Sequence, residues 1–259
     1  MRRGLARSRG QAAELVAAGR VRVAGRLATK AATAIAADEP VIIEEAADPE
    51  QPQYVSRGAH KLAGALAAFA PRGLVVRGRR CLDAGASTGG FTDVLLREGA
   101  AQVVAVDVGY GQLAWSLRVD ERVVVVERTN VRDLTTELTG GAVDVVVGDL
   151  SFISLRLVLP ALVGVAKPDA DLVLMVKPQF EVGRERVGAG GVVRDTELRA
   201  DAVRSVAAAA GELGQGVLGV VASPLPGPAG NVEYFLWLAA GASPLVEDDL
   251  ARAVAEGPS

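Results

Sequence analysis

The chain has 259 residues, a length that usually corresponds to one or two domains. Half of the residues are apolar, 23% are charged and the formal net charge is −3, which is typical of globular proteins rather than disordered ones. A single cysteine, Cys81, and a single histidine, His60, exclude a disulfide framework and argue against a structural metal site.

The first 30 residues are strongly basic, although the whole chain is slightly acidic. Residues 1–30 contain eight Lys or Arg and one acid, whereas residues 31–56 contain six acids and no basic residue. Because basic side chains on phosphates release condensed counterions, this pattern indicates a binding face for a polyanion. A solvated, charged arm without a ligand is the alternative that the pattern leaves open.

The same basic block predicts a small α+β fold. Helical spacing of apolar residues predicts a helix over Arg9–Ala18. Val21–Leu27 alternates around a glycine and predicts a hairpin, and Val41–Ile43 predicts another strand. We therefore assign residues 1–47 to an RNA-binding domain and residues 48–60 to a linker. The candidate RNA contacts in these two segments are Arg3, Arg7, Arg9, Arg20, Arg22, Arg26 and Arg57.

Val-rich segments alternate with helical segments over the rest of the chain, 61–259. Such near-continuous apolar runs are typical of parallel strands that are covered on both faces. Their alternation with helices predicts a doubly wound α/β sheet of seven strands, which binds ligands beyond the carboxyl ends of its strands. The candidate strands are Arg80–Asp83, Gln102–Val106, Val123–Val126, Val143–Val147, Leu172–Val176, Val217–Ala222 and Glu233–Leu238.

Neither a membrane span nor a secretory signal is predicted. No segment approaches the roughly 18 uninterrupted apolar residues that a membrane span needs. The first residues lack the apolar segment of a secretory signal. We therefore expect a cytoplasmic protein with no membrane partner.

A glycine-rich loop follows the first strand of the predicted sheet. Its glycines let the backbone approach a ligand closely just before the N-terminus of a helix. Asp107 ends the second strand, where an acid can accept hydrogen bonds from both hydroxyls of a ribose, and Asp133 could read an adenine amino group. Dehydrogenases and S-adenosylmethionine enzymes share this arrangement, so it predicts a nucleoside cofactor without choosing between them. The candidate cofactor contacts are Asp83, Gly85, Ser87, Thr88, Gly89, Gly90, Phe91, Asp107, Asn130, Asp133 and Asp149.

Four ionisable residues at the ends of predicted elements form a second candidate set. Lys61 begins a helix, Asp149 and Lys177 end the fourth and fifth strands, and Glu233 starts the last strand. A lysine or an acid at a strand end is usually only solvated. Three of these residues, however, fall on or beside the edge at which a doubly wound sheet binds its ligand, so together they are candidate catalytic residues.

Five segments, in order along nearly the whole chain, resemble the TlyA family, also called haemolysin A. They are Tyr54-Val-Ser-Arg-Gly-Ala-His-Lys61-Leu, Leu82-Asp-Ala-Gly-Ala-Ser-Thr-Gly-Gly-Phe-Thr-Asp93, Gly148-Asp-Leu-Ser-Phe-Ile-Ser154, Val176-Lys-Pro-Gln-Phe-Glu181 and Gly230-Asn-Val-Glu-Tyr-Phe235. The resemblance implies a small alpha-L RNA-binding domain, of a kind also found in a ribosomal protein. It implies that this domain is joined to a Rossmann-like methyltransferase domain similar to the FtsJ ribose methyltransferases.

The resemblance also implies an activity, a cofactor and a partner. Members of the TlyA family use S-adenosylmethionine to methylate the ribose 2′-hydroxyl of cytidines in 16S and 23S ribosomal RNA. Ribosomal RNA or ribosomal subunits are therefore the expected partner. Members usually carry a further short segment ahead of the part that corresponds to residues 3–7. The resemblance therefore implies either a misassigned start codon or an RNA-binding domain that is truncated in its first helix.

The Lys, Asp, Lys, Glu pattern of the FtsJ enzymes maps onto Lys61, Asp149, Lys177 and Glu233. We expect Lys177 to be the general base, with Lys61 supplying a positive charge that favours the neutral amine. Asp149 and Glu233 would orient the lysines and the hydroxyl group. The glycine-rich loop that follows Lys177, residues 182–191, is a candidate lid or RNA-phosphate contact through Arg184 and Arg186.

Three other functions remain open from the sequence. Methylation of a base nitrogen is one, because Asp149-Leu-Ser-Phe152 loosely resembles the Asp/Asn-Pro-Pro-Tyr/Phe motif, although both prolines are absent. A membrane-active haemolysin is another, and the lack of an apolar span weighs against it. The third is a ribosome-assembly factor that binds RNA without catalysis.

Overall fold

The computed structural model describes residues 12–13, 15–16, 21–23, 25–30, 39, 41–43 and 54–258. The chain divides into two compact units, residues 1–53 and residues 54–259. The helix that opens the second unit begins at Gly58, within the segment 48–60 that the sequence analysis assigned to the linker. The exact ends of the domains stay a prediction.

The first unit contains a three-stranded antiparallel sheet. Its strands are β1 (Val21–Val23), β2 (Arg26–Leu27) and β3 (Val41–Ile43), in the order β2-β1-β3. Gly25 has a φ of +79° in the turn between β1 and β2, a conformation that glycine adopts without strain. The predicted hairpin and third strand are therefore confirmed.

The predicted helix and the arginine contacts of this unit are only partly described. The described residues between 12 and 16 are helical, as predicted. The guanidinium group of Arg22 donates to the carbonyl oxygen of Gly25, at 3.4 Å. The predicted contacts Arg3, Arg7, Arg9 and Arg20 lie outside the described residues, as do the predicted truncation of the first segment and the side chain of Arg26.

The second unit is built on a seven-stranded sheet, which confirms the α/β prediction. The strand order is β6-β5-β4-β7-β8-β10-β9, and all neighbouring strands are parallel except that β10 is antiparallel to β8 and β9. The strands are β4 (Arg80–Ala84), β5 (Gln102–Val106), β6 (Val123–Val126), β7 (Val143–Gly148), β8 (Ala166–Val176), β9 (Gln215–Ala222) and β10 (Tyr234–Ala240).

Helices cover both faces of this sheet. The helices of the second unit are α1 (Gly58–Phe69), α2 (Gly90–Arg97), α3 (Trp115–Arg118), α4 (Thr136–Thr139), α5 (Leu159–Val165), α6 (Pro178–Glu181), α7 (Thr196–Glu212) and α8 (Glu247–Ala255). Short 3-10 turns lie at Ala70–Arg72, Val131–Asp133, Leu155–Leu157, Arg184–Arg186 and Ala189–Gly191.

Two hydrophobic layers hold the helices against the sheet. Val173 and Met175 of β8 pack in the layer that contains α1 and α2. Leu172 and Leu174 of the same strand pack in the layer that contains α5 and α7. Successive side chains of a strand point to opposite faces, so a strand that is covered on both sides must be apolar throughout. This double burial explains the Val-rich runs of the sequence.

Candidate active site

The loops that follow β4, β5, β7 and β8 meet at one edge of the sheet, because these four strands are parallel. The antiparallel strand β10 begins at the same edge, where Tyr234 pairs with Val176, the last residue of β8. The predicted strand Glu233–Leu238 therefore starts one residue later than expected, and Glu233 lies just ahead of it. This edge collects all four candidate catalytic residues.

The glycine loop after β4 is shaped so that only glycine fits at two of its positions. Gly85 has a φ of +87°, and a Cβ atom there would lie 2.8 Å from the carbonyl oxygen of Asp149. A Cβ atom on Gly90 would lie 2.9 Å from the backbone nitrogen of Ala59. Glycine at these two positions thus lets the loop pack directly against the loop after β7 and the start of α1.

A cavity of about 170 Å³ lies against this loop. Its walls are Ser56, Gly58, Gly85, Ala86, Ser87, Thr88, Gly90, Phe91 and Asp149. Phe91 is also a core residue, since its ring lies 6.1 Å from that of Phe235. Six of the predicted cofactor contacts therefore line one cavity, and one of the six, Asp149, is also a candidate catalytic acid.

Asp107 is held rigidly beside the glycine loop. Its Oδ2 atom accepts a hydrogen bond from the backbone N–H of Ser87 at 2.8 Å, and its Oδ1 atom accepts one from Gly109 at 2.6 Å. Each carboxylate oxygen can accept a further hydrogen bond. The arrangement suits two neighbouring hydroxyl groups, such as those of a ribose.

Asn130 and Asp133 lie in the 3-10 turn after β6. The Asn130 side chain accepts a hydrogen bond from the backbone N–H of Arg132 at 3.0 Å and so caps this turn. Asp133 is exposed. Neither residue lines the cavity at the glycine loop, so their contact with an adenine stays a prediction.

Asp83 is a fully buried carboxyl group beneath the glycine loop. The Thr92 hydroxyl donates to its Oδ2 atom at 2.7 Å, while its Oδ1 atom has no hydrogen-bond partner among the described residues. Burial raises the pKa of Asp83 from 3.8 to about 7. The folded protein therefore binds this proton more tightly than the unfolded chain does.

We expect Asp83→Asn to weaken the pH dependence of stability. Because the folded state holds the Asp83 proton more tightly, this proton stabilises the fold fully below pH 4. The stabilisation is lost as the pH rises towards 7. Between pH 5 and pH 8, the wild type should lose about 2–3 kcal/mol more free energy of unfolding than the variant. Urea unfolding of both proteins at the two pH values measures this difference, and parallel losses would contradict the assignment.

Two lysine–carboxylate pairs occupy the same edge of the sheet. Lys61 Nζ lies 2.5 Å from Glu233 Oε2, and both side chains are buried. Lys177 Nζ lies 2.5 Å from Asp149 Oδ1 and donates to Ser151 Oγ at 2.8 Å. The four candidate residues thus form two ion pairs, one of which contains Asp149 from the wall of the cavity.

A second cavity, of about 600 Å³, lies beside the loop that follows Lys177. It is lined by Phe152, Phe180 and Arg184, among others, and the ring of Phe152 is 92% exposed. The rings of Phe152 and Phe180 lie 5.4 Å apart. Arg184 and Arg186 are exposed, although the Nε atom of Arg186 donates to the carbonyl oxygen of Val182.

The far end of the glycine-rich loop 182–191 is fastened by Asn231. The Asn231 side chain accepts from the backbone N–H of Val193 at 2.9 Å and donates to the carbonyl oxygen of Gly191 at 2.8 Å. Asn231 is buried and stands two residues before Glu233. Ser151, Phe152 and Asn231 were not among the predicted site residues. Their closeness along the chain to Asp149 and Glu233 was the available signal.

Comparison with known proteins places these features in a family. The chain is 63% identical to the "16S/23S rRNA (cytidine-2'-O)-methyltransferase TlyA" of Mycobacterium tuberculosis, over 100% of this chain and 96% of the relative. The chain belongs to the TlyA family. It is also 42% identical to the "Putative rRNA methyltransferase YqxC" of Bacillus subtilis, over 98% of this chain and 90% of that protein.

Domain models and a solved structure agree with the TlyA assignment. Residues 54–240 match the FtsJ-like methyltransferase model, and residues 2–41 match the S4 domain. A putative hemolysin from Streptococcus thermophilus superposes with a TM-score of 0.79 at 39% identity, covering 98% of this chain and 92% of that one. Like other TlyA proteins, the chain is thus an enzyme that couples an RNA-binding domain to a methyltransferase.

The described residues contain neither a candidate membrane helix nor a candidate metal cluster. None of the helices in this part of the chain is long and apolar enough to cross a membrane. No group of three or more His, Cys, Asp or Glu side chains in the same residues could hold a metal ion.

Proposed function

We propose that this protein transfers the methyl group of S-adenosylmethionine to the ribose 2′-hydroxyl of cytidine in 16S or 23S ribosomal RNA. The observation that carries the proposal is the Lys177–Asp149 pair, because Asp149 also lines the cavity at the glycine loop. A proton-accepting group and a nucleoside pocket are what 2′-hydroxyl methylation needs. The name of the M. tuberculosis relative supplies the expected RNA and nucleotide.

The cofactor fits the residues around the glycine loop. The bare backbone at Gly85 and Gly90 would border it, and the Asp107 carboxylate would bind its ribose hydroxyls. When bound, S-adenosylmethionine supplies a methyl group activated on a positively charged sulfur. The FtsJ-like fold and the family imply this cofactor.

Lys177 is the proposed general base. Lys177 Nζ donates to Ser151 Oγ at 2.8 Å and lies 2.5 Å from Asp149 Oδ1, which has no hydrogen-bond partner among the described residues. A neutral lysine amine has two hydrogens and one lone pair. With one hydrogen on Ser151 and the other turned to Asp149, the lone pair would be left to accept the proton of the 2′-hydroxyl. Most of the acceleration would come from holding the hydroxyl in line with the methyl group, since alignment can contribute ~7–11 kcal/mol.

The proposed RNA contacts lie on both units of the chain. The S4 domain and its arginines would bind ribosomal RNA or a ribosomal subunit, which is found in the bacterial cytoplasm. On the second unit, Arg57, Arg184 and Arg186 would contact phosphates. The exposed ring of Phe152 suits stacking on an unpaired base, which is how proteins commonly hold a single RNA nucleotide.

Methyl transfer to RNA tests the proposal directly. The protein is incubated with radiolabelled S-adenosylmethionine and with 30S subunits, 50S subunits or naked ribosomal RNA, and the labelled RNA is hydrolysed in alkali. Label in alkali-resistant dinucleotides is expected, because a 2′-O-methyl group blocks hydrolysis. Label in mononucleotides would instead identify base methylation, and cofactor binding with no label in any RNA would contradict the proposed function.

We expect Asp107→Ala to lower the affinity for S-adenosylmethionine by about 10- to 100-fold, because a charged acceptor of hydrogen bonds contributes about 1.5–3 kcal/mol. Isothermal titration calorimetry with the cofactor measures the effect. Asp120→Ala is the matched control, since Asp120 is a surface acid that bonds Arg122 in its own turn. Equal affinities of the wild type and Asp107→Ala would remove Asp107 from the cofactor site.

A further inference from the structure

Glu181 is a buried carboxylate outside the four candidate catalytic residues. It is the last residue of α6, the short helix that follows Lys177 directly. Its side chain is only 1% exposed. A buried carboxylate is costly unless donors surround it, so its partners indicate what the protein uses it for.

Within the described part of the chain, the partners of the Glu181 side chain lie in the segment that follows β7. Its Oε2 atom accepts from the Ser154 hydroxyl at 2.5 Å, and its Oε1 atom accepts from the backbone N–H of Leu155 at 2.7 Å. Arg156 adds an ion pair, with its Nε atom 3.5 Å from Oε2. The carboxylate therefore joins two segments that are distant along the chain, at their shared edge of the sheet.

These two segments are the ones that carry the proposed base and its partner. Lys177 and Glu181 lie four residues apart after β8, while Asp149 and Ser154 lie five residues apart after β7. The Lys177–Asp149 contact is one bridge between the segments, and the Glu181 contacts are a second. Between them, Phe152 is almost fully exposed and adopts a φ of +64°. Its ring lies 5.4 Å from that of Phe180 in α6, and Leu150 and Ile153 on either side pack against the core. The middle of the segment thus has apolar contacts, but its polar contacts with the end of α6 are those of Glu181.

We propose that Glu181 is a positioning residue that fixes Asp149 and Ser151 against Lys177. The inference deepens the proposed function, on which it rests. With the second bridge removed, the segment after β7 keeps its apolar contacts but loses its polar attachment to the end of α6, and a small shift of the segment moves the acceptors around the Lys177 amine. Misplacement of reacting groups by about 1 Å can cost about 100-fold in rate.

The test compares Glu181→Ala, Glu181→Gln and Ser154→Ala in the full-length protein. Glu181→Ala is expected to lower the single-turnover rate of methyl transfer by about 10- to 100-fold at saturating cofactor and RNA. The dissociation constant of S-adenosylmethionine should stay unchanged. Glu181→Gln should recover most of the rate, because its amide can accept from Leu155 and donate to Ser154. Ser154→Ala removes one contact and should give a smaller loss.

Glu212→Gln is the matched control, since Glu212 is an exposed acid at the end of α7 and lies outside the candidate site. Circular dichroism at the assay temperature shows that each variant is folded; if Glu181→Ala is not, Glu181→Gln and Ser154→Ala decide the question. A wild-type rate in folded Glu181→Ala would overturn the proposal. So would a loss of rate that is matched by loss of cofactor binding and is not recovered by Glu181→Gln. A wild-type protein that methylates no RNA would instead overturn the proposed function.

Discussion

Replacing Lys177 with alanine is expected to reduce methyl transfer by about 100- to 10,000-fold, the usual contribution of a general base. Cofactor affinity should hardly change, because Lys177 is not among the residues that line the cavity at the glycine loop. The single-turnover rate with ribosomal RNA and the calorimetric affinity for S-adenosylmethionine measure the two quantities separately. A variant that methylates RNA at nearly the wild-type rate would show that another group accepts the proton.

The same pair of strands offers a matched control for this prediction. Lys167 lies at the start of β8, and its Nζ atom is 2.5 Å from Asp144 Oδ1 of β7. Lys167→Ala therefore removes a lysine–aspartate contact between β7 and β8 at the opposite edge of the sheet. This variant should keep wild-type activity. A similar loss in both variants would point to general damage to the sheet rather than to a missing base.

The second large effect is expected for stability. Glu233→Ala should lower the free energy of unfolding by about 3–5 kcal/mol, because it leaves the Lys61 ammonium buried without its carboxylate. Urea unfolding at pH 7 measures this loss. Lys61 and Glu233 are both almost fully buried, so water cannot replace the missing partner without disturbing the packing.

A double variant separates stability from activity at this pair. Lys61→Met with Glu233→Leu replaces both charges by apolar groups, which is often neutral or stabilising in protein interiors. We expect its free energy of unfolding to exceed that of Glu233→Ala, while both variants lack methyl transfer because they lack the Glu233 carboxylate. Restored activity in the double variant would mean that the pair only supports the fold, and continued instability would mean that the pair contributes more than its charge balance.

Hydrophobic periodicity predicted the sheet of the second unit well. A strand segment buried on both faces must be apolar at every position, as residues 145–147 of β7 and 172–176 of β8 are, so it is recognisable without its neighbours. The ends of β8 were less predictable. Its first residues include Lys167 and Asp169, which are polar and exposed, and the register with β7 shifts across them, between Ala166 and Asp171. An apolar pattern does not extend over such an irregular start.

The four residues of the candidate site could be predicted, but the ion pairs that they form could not. The resemblance to the TlyA family brought Lys61, Asp149, Lys177 and Glu233 together. No pattern in the chain indicates that Lys61 pairs with Glu233, 172 residues away. That contact depends on the reversed direction of β10, which turns the start of the last strand towards the edge where the parallel strands end.

Buried polar residues were the least predictable part of the site. Glu181 and Asn231 resemble ordinary loop residues in the sequence, and only the folded chain surrounds them with partners. Asp83 is similar, because its neighbours in sequence do not reveal that it is fully buried. The number of donors around a side chain is a property of tertiary structure, which local sequence patterns do not contain.

The glycine-rich loop is anchored at both ends, which separates the positions of the catalytic residues from the sequence of the loop. Glu181 fastens the chain just before the loop, and Asn231 fastens it at Gly191 and Val193. Residues 183–190 can therefore change in length or charge without displacing Lys177 or Glu233. A methyltransferase built in this way can acquire a new RNA target by exchanging one surface segment, while the machinery for the chemical step is inherited intact.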